Sequence, residues 1–391
     1  MGCYNKAATV DRAARPRGCI MNIDSYMPVK IVSGAGCVRR SAAEFKKFGD
    51  SCLIVTGARS AASCGALDDV CAALDEAGVK HALFDGVKPN PLTDDCREAG
   101  KLASSSDSRF IIGIGGGSAL DAAKAVAFYA SNPSFSSSDI YEREKGAPPL
   151  PVILVGTTAG TGSEVTGVSV LTDSRTGLKK SLHGADCYAA VAFCDSRYTR
   201  AMPRSVTVST ALDAFAHAVE SYLSKASNTL SRMYAAKAIP AVWSGLRSLC
   251  VSSAAPDEKM RDSLYEASIF AGLAINITGT LFPHKAGYVL TENYGIPHGR
   301  ACTAFLPALF EVASREVPER LSEIYSLCGC GHKTVIDTVA LLTDVRIPIS
   351  PSEAEDIALR WKDAKIANFI NTPGAFDWMS AAYALSTLGG D

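Results

Sequence analysis

Phe110-Ile-Ile-Gly-Ile-Gly-Gly-Gly-Ser118 reads as a buried strand that runs straight into a glycine turn, and Ala119 to Ala130 beyond it are strong helix formers. A continuous apolar run of this length suits a strand covered on both faces. Glycines let the backbone approach a phosphate, and a helix N-terminus supplies bare N–H groups and a partial positive charge. The run is not G-x-G-x-x-G, so the ordinary dinucleotide fingerprint is absent. The order strand, glycines, helix still points to a pyrophosphate site.

The pattern repeats on both sides. Val29–Ser33, Ser51–Thr56 and His81–Asp85 read as strands upstream, with helices over Leu67–Ala77 and over Thr93–Ser105, the latter capped by Thr93. Downstream, Pro148–Val155 is a strand that ends in a second hydroxyl- and glycine-rich loop containing Thr157, Thr158 and Thr161. Val168–Asp173 and Ala189–Cys194 are two more strands. Alternation of strand and helix predicts an α/β unit with a parallel, Rossmann-like sheet, and two loops at strand ends fit a dinucleotide lying across the sheet edge. Gly57 follows the second strand where an acidic residue would hold the adenosine ribose. With no carboxylate there and Arg59 close by, the site leans toward NADP(H) or dual use with NAD(H).

Past Thr199 strand signals vanish and helix-period stretches take over. The expected organisation is a disordered extension over residues 1–20, or a start placed too early with Met21 as the real beginning. An α/β dinucleotide-binding domain over 21–200 and an all-α domain over 201–391 follow. Residues 1–20 carry no apolar segment, which excludes a secretory signal. No run of about 18 apolar residues exists, and a net charge of −1 gives no case for nucleic acid or an anionic membrane. The thirteen cysteines are scattered and odd in number, as expected of reduced thiols in a cytoplasmic protein. Cys328-Gly-Cys330-Gly-His332 reads as a Gly-rich helix stop.

In the helical half, Asp213-Ala-Phe-Ala-His217 places a carboxylate and an imidazole on one helix face. Pro283-His284 and, fourteen residues after His284, Pro297-His298-Gly299 add two imidazoles. One carboxylate with three imidazoles suits a borderline divalent ion such as Fe²⁺ or Zn²⁺. His81, His183 and His332 match nothing.

Taken with Pro89-Asn-Pro91 and Gly115-Gly-Gly-Ser-Ala-Leu-Asp-Ala-Ala-Lys124, these motifs resemble the iron-containing (group III) alcohol dehydrogenases, relatives of glycerol dehydrogenase and dehydroquinate synthase. The resemblance runs from Val29 to Pro373. It implies Asp213, His217, His284 and His298 as metal ligands, and Asn90, Gly115, Gly116, Gly117, Ser118, Asp121, Thr157 and Thr158 as cofactor contacts. Lys179 or Lys180 matches a basic residue near the cofactor. Many members carry a further histidine four residues after the third ligand, where this chain has Tyr288. Tyrosine there resembles branches that reduce phosphonoacetaldehyde or sulfoacetaldehyde, with Lys285 and Arg300 as cations for the anionic head and Tyr288 as a hydroxyl donor.

The resemblance therefore implies NAD(P)H-dependent, metal-dependent reduction of a small aldehyde by a homodimer or larger assembly. A plain short-chain alcohol or diol dehydrogenase (1,3-propanediol, lactaldehyde or butanol type) is the alternative, and a dehydroquinate synthase-like lyase a more distant one. No cysteine has the context for a covalent aldehyde-oxidising mechanism.

Overall fold

The computed structural model describes residues 23–389. The expected extension over residues 1–20 lies outside them. Six strands form one parallel sheet in the order β1-β8-β5-β4-β2-β3: β1 (Lys30–Ser33), β2 (Ser51–Thr56), β3 (Lys80–Phe84), β4 (Phe110–Gly115), β5 (Val152–Gly156) and β8 (Val191–Cys194). The central strands β4, β5 and β8 are buried along their whole length, as helices on both faces require. Short helices α1 (Cys37–Arg40) and α2 (Ala42–Lys46) follow β1, and α3 (Ser60–Ser63) and α4 (Ala66–Glu76) follow β2. Next come α5 (Thr93–Ser105) and α6 (Gly117–Ser131). Helix α6 starts inside the glycine run, two residues earlier than expected.

Three expectations need correcting. Strand β5 begins at Val152 rather than Pro148, because the three prolines at 148, 149 and 151 cannot donate to a ladder. Thr93 is the first helical residue, not the cap; its hydroxyl bonds the Ser174 hydroxyl at 3.1 Å instead. Strand β6 (Val168–Thr172) does not join the main sheet. It forms an antiparallel pair with β7 (Lys179–His183), a strand absent from the sequence reading, in a register that sets Thr172 opposite Lys179.

From α7 (Arg204–Leu223) onward the chain is helical: α8 (Thr229–Val251), α9 (Glu258–Thr278), α10 (Phe282–Tyr294), α11 (His298–Thr303) and six further helices from Leu306–Glu316 to Trp378–Ser386. Helix α7 is buried almost all round, so it has no solvent face to hold its ionisable residues. No single helix among the described residues is long and apolar enough to cross a membrane.

The loop from Thr157 to Val168 joins the two halves. Buried Lys124 on α6 donates to the carbonyls of Ser163, Thr166 and Val168 at 2.6 to 3.0 Å, with Asp121 3.8 Å away. On the other side Gly162 lies against Gly272 of α9 so closely that a Cβ on Gly162 would stand 2.6 Å from the Gly272 Cα.

Candidate active site

Asp213, His217 and Glu220 sit at i, i+4 and i+7 on α7 and therefore share one face. Helix α10 begins at Phe282 with Pro283 in its first turn, which sets His284 facing them. Gly295 ends α10 in the left-handed region, and Pro297 starts α11 with His298. Helix α11 can press on α7 only because residue 299 is glycine: a Cβ there would lie 1.8 Å from the Ser209 carbonyl oxygen and 3.0 Å from the Asp213 Cβ.

The result is a tight cluster. Asp213 Oδ1 stands 3.7 Å from His217 Nε2, 3.4 Å from His284 Nε2 and 3.8 Å from His298 Nε2. Donors around a tetrahedral ion with bonds of roughly 2.0–2.1 Å stand about 3.4 Å apart. Asp213 Oδ1 and His284 Nε2 are buried and have no hydrogen-bond partner. Buried polar atoms are rarely left so, and here both point into the gap where a cation would satisfy them. The residues present therefore fit a divalent ion.

The other ring nitrogens are anchored. His217 Nδ1 lies 3.3 Å from the Gly160 carbonyl, and His284 Nδ1 lies 2.6 Å from Glu220 Oε1. Each Nδ1 carrying a proton leaves Nε2 as a lone pair aimed at the centre. Burial pushes the His217 ring down to about 4 and the His298 ring down to about 3, so both are neutral donors at pH 7. Burial alone would raise the Asp213 carboxyl, yet His217, His298 and His284 together hold it well below the usual carboxylate range.

A cavity of about 1180 Å³ runs along this cluster. Drug-sized sites occupy roughly 300–1,000 Å³, so it has room for a longer ligand. Gly57, Asn90, Gly116, Gly117, Ser118, Asp121, Thr158, Thr161 and Lys179 line it, as do the four candidate ligands, Lys285 and Tyr288. Asn90 adopts a φ of 57°, a left-handed conformation that asparagine tolerates better than most residues. A Cβ on Gly116 or Gly117 would meet Thr158 or Thr161 at 2.9 or 2.7 Å. The glycines thus let the two loops touch and leave the N-terminus of α6 bare, a cradle that fits a pyrophosphate.

Three expected site residues lie off the cavity wall. Gly115 and Thr157 bond to each other through the backbone at 2.9 Å and support the loops from behind. Arg300 is the clearer correction: it lies on the far side of α11 from His298 and donates to the Thr343 carbonyl at 3.4 Å. Two residues along a helix is more than half a turn, so adjacency in sequence put it on the wrong face. Asp121 lines the wall, but its carboxylate is engaged with the Ser163 hydroxyl and the Val170 amide. Glu220 is the main residue that sequence reasoning missed, although its i+7 spacing from Asp213 signals it. His183, which matched no motif, also lines the cavity.

Around Tyr288 the charges converge. Its ring lies 5.7 Å from that of His298, with Lys179 Nζ 5.3 Å and Lys285 Nζ 5.8 Å from its centroid. Burial lowers both lysine pKa values and pushes the Tyr288 phenol up to about 12, so it stays a neutral donor. Lys180, by contrast, is paired with Asp173 at 2.7 Å.

Residues 28–196 match the family described as iron-containing alcohol dehydrogenase, and residues 207–349 match the C-terminal part of that family. The chain is 29% identical over 344 residues to alcohol dehydrogenase 4 of Schizosaccharomyces pombe, covering 86% of this chain and 80% of that protein. It is 31% identical over 282 residues to a sulfoacetaldehyde reductase of Bilophila wadsworthia, covering 72% of each. An iron-containing alcohol dehydrogenase structure from Thermotoga maritima superposes with a TM-score of 0.85 at 34% identity, over 94% of this chain and 99% of that one.

Proposed function

The chain belongs to the iron-containing alcohol dehydrogenase family, and from that premise we propose that it reduces a small aldehyde carrying an anionic head, such as a sulfo- or phosphono-aldehyde. The broader activity is that of an alcohol/aldehyde oxidoreductase using NAD(H) or NADP(H). One observation carries the narrower reading: Lys179 and Lys285 both face Tyr288 beside the metal cluster, and neither has an ion-pair partner among the described residues. Both lysines are half-buried, and burial disfavours their charged forms while the Glu292 carboxylate offsets this only in part, so an anionic substrate would stabilise them further. The sulfoacetaldehyde reductase of Bilophila is in keeping with this.

Asp213, His217, His284 and His298 would hold the divalent ion, which would supply Lewis acidity, and the cofactor would supply the hydride. The bare N-terminus of α6, with Ser118 and the Thr158–Thr161 loop, holds the cofactor phosphates. Lys179 and Lys285 grip the head group and so fix the carbonyl end toward the cluster. Tyr288, whose phenol is pushed up to about 12, keeps its proton and offers a neutral hydroxyl donor beside His298. The division near residue 200, a homo-oligomeric state and a cytoplasmic site are parts of the same proposal.

The test is a panel of propionaldehyde, sulfoacetaldehyde and phosphonoacetaldehyde with wild type and Lys285→Ala. A charge pair about 5 Å apart at an effective dielectric near 20 is worth roughly 3 kcal/mol. Lys285→Ala should therefore lower kcat/KM for the anionic aldehydes by about 100-fold and leave propionaldehyde nearly unchanged. Equal wild-type rates on all three would overturn the anionic reading in favour of a plain short-chain alcohol dehydrogenase.

A further inference from the structure

The roles above make no use of Cys302. Its thiol is completely buried, one helical turn after His298. The sulphur stands 3.5 Å from His298 Nδ1 and 3.7 Å from His298 Nε2. Helix α10 packs against it through Gly287, where a Cβ would collide with the Cys302 backbone and sulphur at 2.8 Å. The side chain is thus wedged between α10 and α11.

One ligand atom each from Asp213, His284, His298 and Cys302 lie within 4.8 Å of one another. His217 is not in that group, though its Nε2 approaches Asp213 Oδ1 at 3.7 Å. Three donors are therefore common, and two others approach the same centre. A sulphur and a nitrogen bound to one tetrahedral zinc, at roughly 2.3 and 2.05 Å, stand about 3.6 Å apart. Of the two His298 nitrogens, Nε2 is the one that faces Asp213, and its 3.7 Å separation from the sulphur is close to that distance. The second sign of a ligand is independent of the cysteine: Asp213 Oδ1 and His284 Nε2 are buried, unpartnered and directed into the same gap.

We propose that Cys302 is a sulphur donor to the bound ion, so that the site offers five protein donors rather than four. As the bond forms, the sulphur contributes a lone pair and its proton leaves to solvent; nothing is oxidised or reduced. A sulphur donor shifts the preference of the site toward thiophilic ions such as Zn²⁺, Co²⁺ and Cd²⁺ and away from Mn²⁺ or Mg²⁺.

This inference rests on the metal-ligand reading above, and one experiment separates the two. The full-length protein is stripped, loaded with Co²⁺, assayed for cobalt content and scanned for sulphur-to-cobalt charge-transfer absorption in the near ultraviolet. Wild type is expected to hold one cobalt with the band present. Cys302→Ser is expected to lose the band and to show a Zn²⁺-over-Mn²⁺ preference reduced about tenfold or more. His217→Ala is expected to keep the band. One cobalt per chain in wild type with no charge-transfer band would overturn the role of Cys302 and leave the other ligands standing. No stoichiometric cobalt at all would overturn both. The wild-type spectrum decides the matter even if a variant fails to fold.

Discussion

Replacing Glu220 with glutamine probes how the cluster is aimed. The Glu220 carboxylate faces His284 Nδ1 at 2.6 Å through Oε1 and accepts from the Leu281 amide at 2.6 Å through Oε2. Glutamine has only one oxygen. If that oxygen stays on Leu281, the side-chain NH2 faces His284 and can bond only a ring whose Nδ1 is bare. The ring proton then moves to Nε2, the atom that faces Asp213, and the lone pair needed for the ion is gone. If the oxygen turns to His284 instead, the NH2 opposes the Leu281 N–H and leaves a buried donor unsatisfied, at a cost of roughly 1–3 kcal/mol. Loss of such a carboxylate behind a metal-bound histidine typically weakens binding about 10–100-fold, or ~1.4–2.7 kcal/mol. Competition of the loaded protein against a chromophoric chelator measures this directly, and melting in EDTA shows whether the metal-free fold is intact. Glu220→Asp, which keeps the charge, should recover part of the affinity. A glutamine variant that holds its ion as tightly as wild type would refute the assignment of Glu220 as the residue that positions His284.

Gly299→Ala should push α11 off α7, because the new methyl would sit 1.8 Å from the Ser209 carbonyl; overpacking of this kind costs about 1–3 kcal/mol. We expect metal content to fall well below one ion per chain, and wild-type content would contradict the packing argument. The metal-free protein should lose stability in acid. His217 is lowered to about 4 in the folded chain, so its contribution is complete above the unfolded value near 6.5 and disappears as pH falls through about 4. That contribution is roughly 3 kcal/mol, and His217→Gln should flatten the dependence of Tm on pH between 6.5 and 4; an unchanged slope would count against it. Arg59 lines the cavity near Gly57, where no carboxylate repels a 2′-phosphate. Arg59→Ala should cut kcat/KM for NADPH by about tenfold while sparing NADH, and an equal loss with both cofactors would remove its proposed selectivity.

What the sequence exposed and what it hid follow from the range of the interactions. The strand-to-glycine-to-helix run at 110–118 and the Asp213/His217 pair are local patterns, and local periodicity reports them directly. Strand β7, Lys-Lys-Ser-Leu-His, is short, charged and only half buried, so it carries no apolar alternation. Its partner β6 therefore reads as one more strand, with nothing local to separate it from the main sheet. Cys302 looked like one more apolar filler because its meaning depends on His298 one turn away and on Asp213 and His284 from other helices. Arg300 failed for the opposite reason: it is adjacent to a ligand in sequence but faces away from it in space.

The loop between Thr157 and Val168 has a mechanical consequence. Lys124 holds it from the sheet side, while Gly272 and His217 meet it from the helical side at Gly162 and Gly160. A segment gripped from both sides cannot act as a hinge, since hinges sit where few contacts oppose a change in φ and ψ. Rotation of one half against the other would break one grip or the other, either the Lys124 bonds or the contacts of Gly160 with His217 and of Gly162 with Gly272. The turn around Asn90 and residues of the segment 365–371 also line the cavity, and neither belongs to that loop. The loop that carries Thr158 and the helix that carries Asp213 touch directly, through His217 on Gly160 and through Thr210 packed on Gly160, and this contact sets their spacing in the folded chain.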